Sequence, residues 1–185
     1  MTDEQIILPF THAADVQGWR AIDDRIMGGC SLSRPEFVEG GGLRFRGVVS
    51  LDNGGGFASI RSPEADYPLG DCTGVRLRAR GDGKHYKLGL RTDRFFDGIS
   101  YQSAFTPPAD EWEEIDLPFA DFVATHHGRR LTTLAPLDPA RIQSFSLFIA
   151  ERQAGPFHLE IAWLAKAIHE SNSAATLLRK NPRGM

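Results

Sequence analysis

Two adjacent carboxylates open the segment of the sequence that is richest in groups able to do chemistry. The segment begins with Asp23, Asp24 and Arg25, and the glycine pair Gly28 and Gly29 follows. Paired carboxylates can ligate a metal ion or act as a general acid and base. Adjacent residues of a strand point to opposite faces, so the two acids would share one site only in a loop. The pattern favours a structural loop, and a binding loop and a catalytic loop stay open as alternatives.

A second candidate site is a set of basic residues at alternating positions in two neighbouring apolar runs. The turn sequence Gly81-Asp82-Gly83 separates the two runs, which predicts a β-hairpin with both polar rows on the same sheet face. The basic residues of the two rows are Arg76, Arg78, Arg80, Lys87 and Arg91.

These rows allow two interpretations. Forked guanidinium groups bind carboxylates and phosphates, so an open sheet face would form a positive binding surface. Alternatively, the face is solvated and its arginines are balanced by acidic neighbours such as Glu113 or Glu160. The alternation alone does not decide between them.

Other reactive residues give weaker signals. His126 and His127 are adjacent in a predicted loop, but no histidine has the spacing of a known metal motif, and solvation explains the pair. Cys30 and Cys72 match no zinc spacing; two free thiols are expected, with a disulfide left open. We therefore expect no cofactor, no bound metal and no catalytic residue.

Composition limits the function classes further. The chain has 185 residues, of which 41% are hydrophobic and 24% charged, and 19 Gly and 11 Pro argue against a helical bundle. The net charge of −3 gives no electrostatic case for a nucleic-acid partner. The N-terminal segment lacks a signal peptide, and no apolar run is long enough for a membrane helix. We expect a cytoplasmic protein that does not insert into the membrane.

The elements that must position these residues are short strands. Apolar and polar residues alternate in nine or ten short segments, which are separated by turn signals. This pattern predicts an all-β fold, an antiparallel β-sandwich or jelly roll. Two further hairpins are predicted, one returning through residues 52–56 and one through Gly155-Pro156. We expect one domain over residues 1–169 and a flexible C-terminal tail over residues 170–185.

Five segments of the chain, taken in their order and spacing, resemble the complex I intermediate-associated protein 30 family. The segments are DDRIMGGCSLS (23–33), GVVSLDNGGGFASIRS (47–62), GVRLRARGDGKHYKLGLRT (74–92), WEEIDLPFADF (112–122) and GPFHLEI (155–161). The resemblance implies a galactose-binding-like β-sandwich and a role as an assembly factor of respiratory NADH:ubiquinone oxidoreductase, with no established reaction. It marks these motif positions as structural or binding residues: Asp23, Asp24, Arg25, Gly28, Gly29, Asn53, Arg61, Arg78, Arg80 and Arg91.

Three functional hypotheses follow. The first is a non-catalytic domain that binds protein subunits of a membrane complex, located in the cytoplasm or peripherally at the inner membrane through those partners. The second is a carbohydrate-binding module, and the third and weakest is a hydrolase using Asp23 and Asp24.

Cys30 departs from the family pattern, and the absence of a mitochondrial N-terminal extension leads us to expect a bacterial source. The aromatic candidates for a sugar platform are Trp19, Tyr86, Tyr101 and Trp112.

Overall fold

Alternating apolar and polar residues form thirteen β-strands within residues 5–168, the part of the chain that the computed structural model describes. The predicted tail at residues 170–185 lies outside this part. Sheet A contains β1 (Ile6–Leu8), β3 (Leu32–Phe37), β4 (Leu43–Val49), β6 (Gly74–Gly81), β9 (Glu113–Pro118) and β13 (Gly155–Ala167). Sheet B contains β2 (Arg20–Ala21), β5 (Ala58–Arg61), β7 (Tyr86–Arg91), β8 (Ser100–Phe105), β10 (Val123–His126), β11 (Arg129–Arg130) and β12 (Ser144–Ile149).

The two sheets have simple strand orders. Sheet A runs β3-β4-β13-β6-β9, with β1 also paired to β13, and sheet B runs β11-β10-β8-β7-β12-β5-β2. Every strand pair is antiparallel. The long strand β13 lies between β4 and β6 and holds the middle of sheet A together. The predicted antiparallel β-sandwich is confirmed.

The core lies between the sheets and consists of the inward rows of both. Tyr86 of sheet B is fully buried, and its ring centroid lies 6.5 Å from that of Phe45 and 6.4 Å from that of Phe157, both in sheet A. The Tyr86 hydroxyl donates to Asp82 and to the His158 carbonyl oxygen, so the buried polar atom has partners. Aromatic packing across the two sheets therefore fixes how they face each other.

The three predicted hairpins are wrong in the same way. Strands β6 and β7 lie in different sheets, and so do β4 and β5, and β12 and β13. In each case the chain turns and crosses from one sheet to the other instead of pairing with the strand just completed. Gly155 and Pro156, predicted as a turn, are the first residues of β13. A strand that crosses to the other sheet and a strand that pairs in a hairpin both bury one row of side chains. The two arrangements therefore give the same hydrophobic pattern in the sequence.

Helical structure is minor in residues 5–168. The one α-helix, α1 (Ala13–Val16), lies near Asp15, where the sequence predicts a small helix. Short 3₁₀ turns cover Asp24–Met27, Asp52–Gly54, Phe119–Asp121 and Pro139–Arg141. None of the helices in this part of the chain has the length and hydropathy that a membrane span requires. The loop predicted from residue 124 to residue 137 instead begins with strands β10 and β11, which form a hairpin.

Candidate functional site

The Asp24 carboxylate connects two distant parts of the chain. It accepts hydrogen bonds from the Ser31 backbone N–H (2.9 Å) and hydroxyl (2.6 Å), and from the backbone N–H groups of Gly56 (2.7 Å) and Phe57 (3.2 Å). Burial alone would raise the pKa of Asp24, but these four hydrogen bonds outweigh burial and hold the pKa below its ordinary value. Asp24 is 1% exposed, so its oxygens face protein and not solvent.

Asp23 makes the equivalent connection one residue earlier. Its carboxylate accepts hydrogen bonds from the Ser33 N–H (2.8 Å) and hydroxyl (2.6 Å) and from the Ser59 N–H (3.0 Å). Both acids hold the beginnings of β3 and β5, but each carboxylate accepts from its own set of donors, and no contact joins the two into an acid–base pair. Both carboxylates act as supports for the turn Asp24–Met27, which is the arrangement of a structural loop.

Glycines provide the room for the Asp24 side chain. A Cβ atom at Gly55 would lie 2.7 Å from Asp24 Oδ2 and 2.9 Å from the Ser50 carbonyl oxygen. A Cβ atom at Gly29 would collide with the same carboxyl group. The two glycine-rich motifs are therefore parts of one packing unit around Asp24, and neither has the setting of a phosphate-binding loop.

The turn that Asp23 and Asp24 support presents apolar side chains to solvent. Ile26 is 63% exposed and Met27 is 59% exposed. Together with residues of β2, β3, β5 and the loop at residues 92–99, this turn borders a depression of about 480 Å³. We call this depression the edge depression and define it by Arg20, Arg25, Ile26, Leu32, Arg61 and Phe96.

Two arginines of sheet B lie beneath the loop at residues 92–99. Arg61 Nη1 donates to the Phe96 carbonyl oxygen (3.3 Å), and Arg91 Nη2 donates to the Phe95 carbonyl oxygen (2.8 Å). Burial, together with the like charges of Arg91 and Arg20, lowers the pKa of Arg61 to about 10. Both arginines stay protonated at neutral pH, and the carboxylates of Glu64 and Asp93 lie near enough to favour their charged forms.

The arginines of sheet A lie on the opposite side of the sandwich. Arg80 and Arg44 both bind Glu160, at 2.7 and 2.6 Å, and Arg76 binds Asp116 at 2.6 Å. A depression of about 740 Å³ on this face is lined by other paired charges, including Arg34 and Arg46, which bind Glu36. Arg76 and Arg80 of the basic row of β6 are therefore balanced by acidic neighbours, as one interpretation of the sequence expected.

Replacing Glu160 with glutamine is expected to lower the free energy of unfolding by about 2 kcal/mol. The glutamine keeps the side-chain shape but leaves Arg44 and Arg80 without a counter-charge. Because these arginines are 34% and 38% exposed, solvent screening holds the loss below that of a fully buried pair. Urea denaturation measures the change in the free energy of unfolding. The control is Asp116→Asn, which removes the counter-charge of Arg76 in a more exposed ion pair. An equal effect of the two variants would contradict a special role for Glu160.

The aromatic candidates for a sugar platform are not available on one open face. Trp19 is 6% exposed and Tyr86 is fully buried, so both belong to the core. The Tyr101 hydroxyl donates to the Ala135 carbonyl oxygen. The Trp112 ring is half-buried, and the guanidinium groups of Arg80 and Arg78 lie 4.8 and 5.6 Å from its centroid.

The structure separates the predicted site residues into groups. Arg25 and Arg61 line the edge depression, and Arg91 lies beneath the neighbouring loop, whereas Arg78 and Arg80 lie on the outer face of sheet A. The predicted single patch combining the rows of β6 and β7 is wrong, because the two strands face opposite sides of the sandwich. Whether any of these residues binds a partner stays a prediction.

Asn53 lies in the turn between β4 and β5 and contacts Cys30, which lies in the loop before β3, whereas Cys72 lies before β6. Asn53 has a positive φ of 54°, and its Nδ2 atom donates to Cys30 Sγ at 3.6 Å. Cys30 is exposed and Cys72 is buried, and both thiols are free. The expectation of two free thiols is confirmed.

Sequence reasoning missed the exposed apolar residues near the edge depression. Ile26 and Met27 lie inside the DDRIMGG motif, of which the sequence pattern singled out only the charged residues and the glycines. Phe95 and Phe96 are 76% and 64% exposed. The adjacent pair Phe95-Phe96 between turn-forming residues was a usable signal, because large apolar residues in a short polar loop are exposed unless something covers them.

Comparisons with known proteins agree on family and fold. A family model described as Complex I intermediate-associated protein 30 matches residues 8–161. The mitochondrial complex I intermediate-associated protein 30 of Mus musculus is 32% identical over 102 residues, 53% of this chain and 31% of that protein. The Drosophila melanogaster protein of the same name is 24% identical over 184 residues, 88% of this chain and 62% of that protein. The chain thus spans less than two thirds of either relative.

Solved structures with a similar fold include carbohydrate-binding modules. The family 11 carbohydrate-binding module of a cellulosomal cellulase from Clostridium thermocellum has a TM-score of 0.67 at 15% identity, covering 90% of this chain and 96% of that chain. The same kind of module, solved with a β-1,3-1,4-mixed-linked tetrasaccharide, has a TM-score of 0.66 at 15% identity, covering 89% and 95%. At such identities the likeness concerns the fold.

Proposed function

Because the chain belongs to the Complex I intermediate-associated protein 30 family, we propose that it is a non-catalytic binding protein that holds a protein subunit of a respiratory complex I assembly intermediate. The observation that supports this proposal most directly is the edge depression, where apolar and basic side chains are exposed together. We also propose a cytoplasmic location, with contact to the inner membrane made through the partner. This location and the bacterial source stay predictions.

The apolar part of the edge depression has the composition of a protein interface. Ile26, Leu32 and Phe96 are each more than half exposed, and Met27 and Phe95 extend the apolar surface on either side. Clusters of exposed apolar residues are uncommon on monomeric proteins, and Met, Phe and Arg are enriched at protein interfaces. A partner that covers these side chains would remove them from water and gain the corresponding hydrophobic stabilisation.

The charged part of the edge depression indicates the chemistry of the partner. Arg20, Arg25 and Arg61 take part in none of the ion pairs found within residues 5–168. Glu64 and Asp23 also line the depression, but Asp23 is occupied by hydrogen bonds to Ser33 and Ser59. Arginines that form no ion pair in this part of the chain favour a partner segment that carries both apolar and acidic side chains, although Glu64 offsets part of the charge of Arg61.

The proposal includes no catalytic role because the carboxylates of Asp23 and Asp24 already accept hydrogen bonds within the fold. The hydrogen bonds that the carboxylates of Asp23 and Asp24 accept all come from backbone N–H groups and serine hydroxyls within the fold. A catalytic acid or base must reach a substrate proton within hydrogen-bond distance. Buried carboxylates that hold strand ends are poorly placed for that task, which counts against the hydrolase hypothesis.

Affinity capture tests the proposed function. The full chain is immobilised, detergent-solubilised membranes of the native organism are passed over it, and retained proteins are identified by mass spectrometry. We expect subunits of complex I to be enriched on the wild-type chain and on the control variant Arg78→Glu. Residue 78 lies on the outer face of sheet A, outside the edge depression. We expect them to be lost from Arg25→Glu, because this change reverses a charge of the edge depression.

Two results would overturn the proposal. If no complex I subunit is enriched, the proposed partner class is wrong. If Arg78→Glu abolishes capture and Arg25→Glu does not, the interface lies on sheet A and not at the edge depression. Retention of the chain on mixed-linked β-glucan, without capture of complex I subunits, would favour the carbohydrate-binding alternative. The unpartnered hydroxyls of Ser100 and Ser146 on sheet B are the groups that would then be examined.

A further inference from the structure

Asp97, His126 and His127 bring three metal-binding groups together at the end of sheet B. The ligand atoms of the three side chains all lie within 4.8 Å of one another. His127 Nε2 lies 2.6 Å from Asp97 Oδ1, and His126 Nε2 lies 3.8 Å from Asp97 Oδ2. The two imidazole rings are neighbours as well, with centroids 4.1 Å apart. None of the three residues lines the edge depression, although Asp97 directly follows Phe96.

Two backbone features produce this convergence. His126 ends β10, and His127 and Gly128 form the two-residue turn to β11, with φ angles of 48° and 74°. Positive φ at both positions is the geometry of the tight hairpin turn that suits twisted strands. The turn places both histidines next to the loop at residues 92–99, where Asp97 lies and where His126 Nε2 is 3.2 Å from the Asp97 carbonyl oxygen.

The donor set determines the class of ion. Two imidazole nitrogens and one carboxylate oxygen suit divalent first-row transition metals such as Zn²⁺, whereas Mg²⁺ and Ca²⁺ prefer sites made of oxygen. Ligands at about 2.1 Å in a tetrahedral Zn²⁺ site lie about 3.4 Å from one another. The nitrogen–oxygen distances of 2.6 and 3.8 Å fall on either side of this value. Small side-chain rotations would therefore bring all three groups into coordination.

We propose that Asp97, His126 and His127 form a binding site for a divalent transition-metal ion, for which Zn²⁺ is the probe. Three protein ligands leave coordination positions for water or for a group of another molecule. All three side chains are partly exposed, so an ion reaches the site from solvent without rearrangement of the core. The sequence expectation of no metal rested on motif spacing, which cannot detect ligands 29 and 30 residues apart.

A bound ion would also have a structural effect. It would connect the loop at residues 92–99 to the β10–β11 hairpin, and this loop supplies the carbonyl oxygens of Phe95 and Phe96 that bind Arg91 and Arg61. Because a ligand that binds the folded chain stabilises it, Zn²⁺ is expected to raise the melting temperature. The metal site does not depend on the proposed function, since it rests on the positions of its own three side chains.

Isothermal titration calorimetry of the full chain without a histidine tag tests the site. We expect one Zn²⁺ per chain, no heat with Mg²⁺, and affinity weakened about tenfold or more in His126→Ala, in His127→Ala and in Asp97→Ala. The control is His158→Ala, an exposed histidine of β13, for which unchanged affinity is expected. Circular dichroism checks that each variant is folded, and a Zn²⁺-induced rise in melting temperature that the three ligand variants lose gives a second measurement.

Cys30 needs its own control, because an exposed thiol also binds Zn²⁺. We expect Cys30→Ser to bind Zn²⁺ as the wild-type chain does. Absence of binding to the wild-type chain would overturn the proposal. So would binding that survives all three ligand substitutions, or binding that disappears in Cys30→Ser alone.

Discussion

Replacing Asp24 with asparagine is expected to lower the free energy of unfolding by about 3 kcal/mol. Asparagine has the same shape but offers one acceptor oxygen and an NH₂ donor in place of two acceptor oxygens. The four groups that donate to Asp24 belong to Ser31, Gly56 and Phe57, and some of them would be left buried without a partner. Chemical denaturation in urea measures the loss, and Asp52→Asn, at an exposed turn position, is the matched control.

Acid titration gives the same prediction a second, independent readout. The pKa of Asp24 is lower in the folded chain than its ordinary value of 3.8. Its contribution to stability is therefore fully present above about pH 4 and decreases as the pH falls through the lower folded value. The difference in stability between the wild-type chain and Asp24→Asn should accordingly shrink on acidification. A difference that is independent of pH would contradict the role of the ionised carboxylate.

The double substitution Ile26→Asp with Met27→Asp is expected to weaken partner binding at least about tenfold without unfolding the chain. Both side chains are more than half exposed, so the fold does not depend on burying them. Each aspartate removes apolar contact area and places a negative charge beside a partner segment that we propose to be acidic. Biolayer interferometry with the captured complex I subunits as analyte measures the affinity.

A control is needed for the general effect of placing a charge on an apolar surface residue. Leu134 is 42% exposed and lies in a loop away from the edge depression, so Leu134→Asp should leave the affinity unchanged. If Leu134→Asp weakens binding as much as the double substitution does, the effect is not specific to the edge depression. If the double variant and the wild-type chain bind the partner with equal affinity, the Asp24–Met27 turn is not part of the interface.

The core strands could be predicted from the sequence because each of them buries alternate residues, whereas the fully exposed strands β2 and β11 could not. In β7, for example, Tyr86, Leu88 and Leu90 are fully buried, and the alternating Lys87 is not. A period of two is a local property, so it identifies such strands without knowledge of the rest of the fold. The structural interpretation of the Asp23-Asp24 loop also followed from local rules, since adjacent acids seldom share one site.

The pairing of strands could not be predicted in the same way. A strand that returns beside its neighbour and a strand that crosses to the facing sheet both bury one apolar row on the same core. The Gly81-Asp82-Gly83 turn is compatible with either outcome. The choice decides the position of every outward residue, which is why Arg78 and Arg91 were assigned to one face although they lie on opposite sides.

Contacts between distant residues were the other part of the site that sequence patterns did not show. Asp24 meets Gly56 and Phe57 more than thirty positions further along the chain, and Asp97 meets His127 across a similar interval. Such contacts depend on how the sheets are stacked, and motif spacing carries no information about that stacking. The family resemblance marked Asp23 and Asp24 as structural or binding positions, and it did not distinguish structural support from contact with a partner.

The central position of β13 has a consequence for the order in which the protein can be made. This strand pairs with β1, β4 and β6, yet it is the last strand within residues 5–168. Until β13 is synthesised, the pairs β3-β4 and β6-β9 have no strand between them. We therefore expect sheet A to close only after residue 167 has been made, because the strand that joins its two halves comes last.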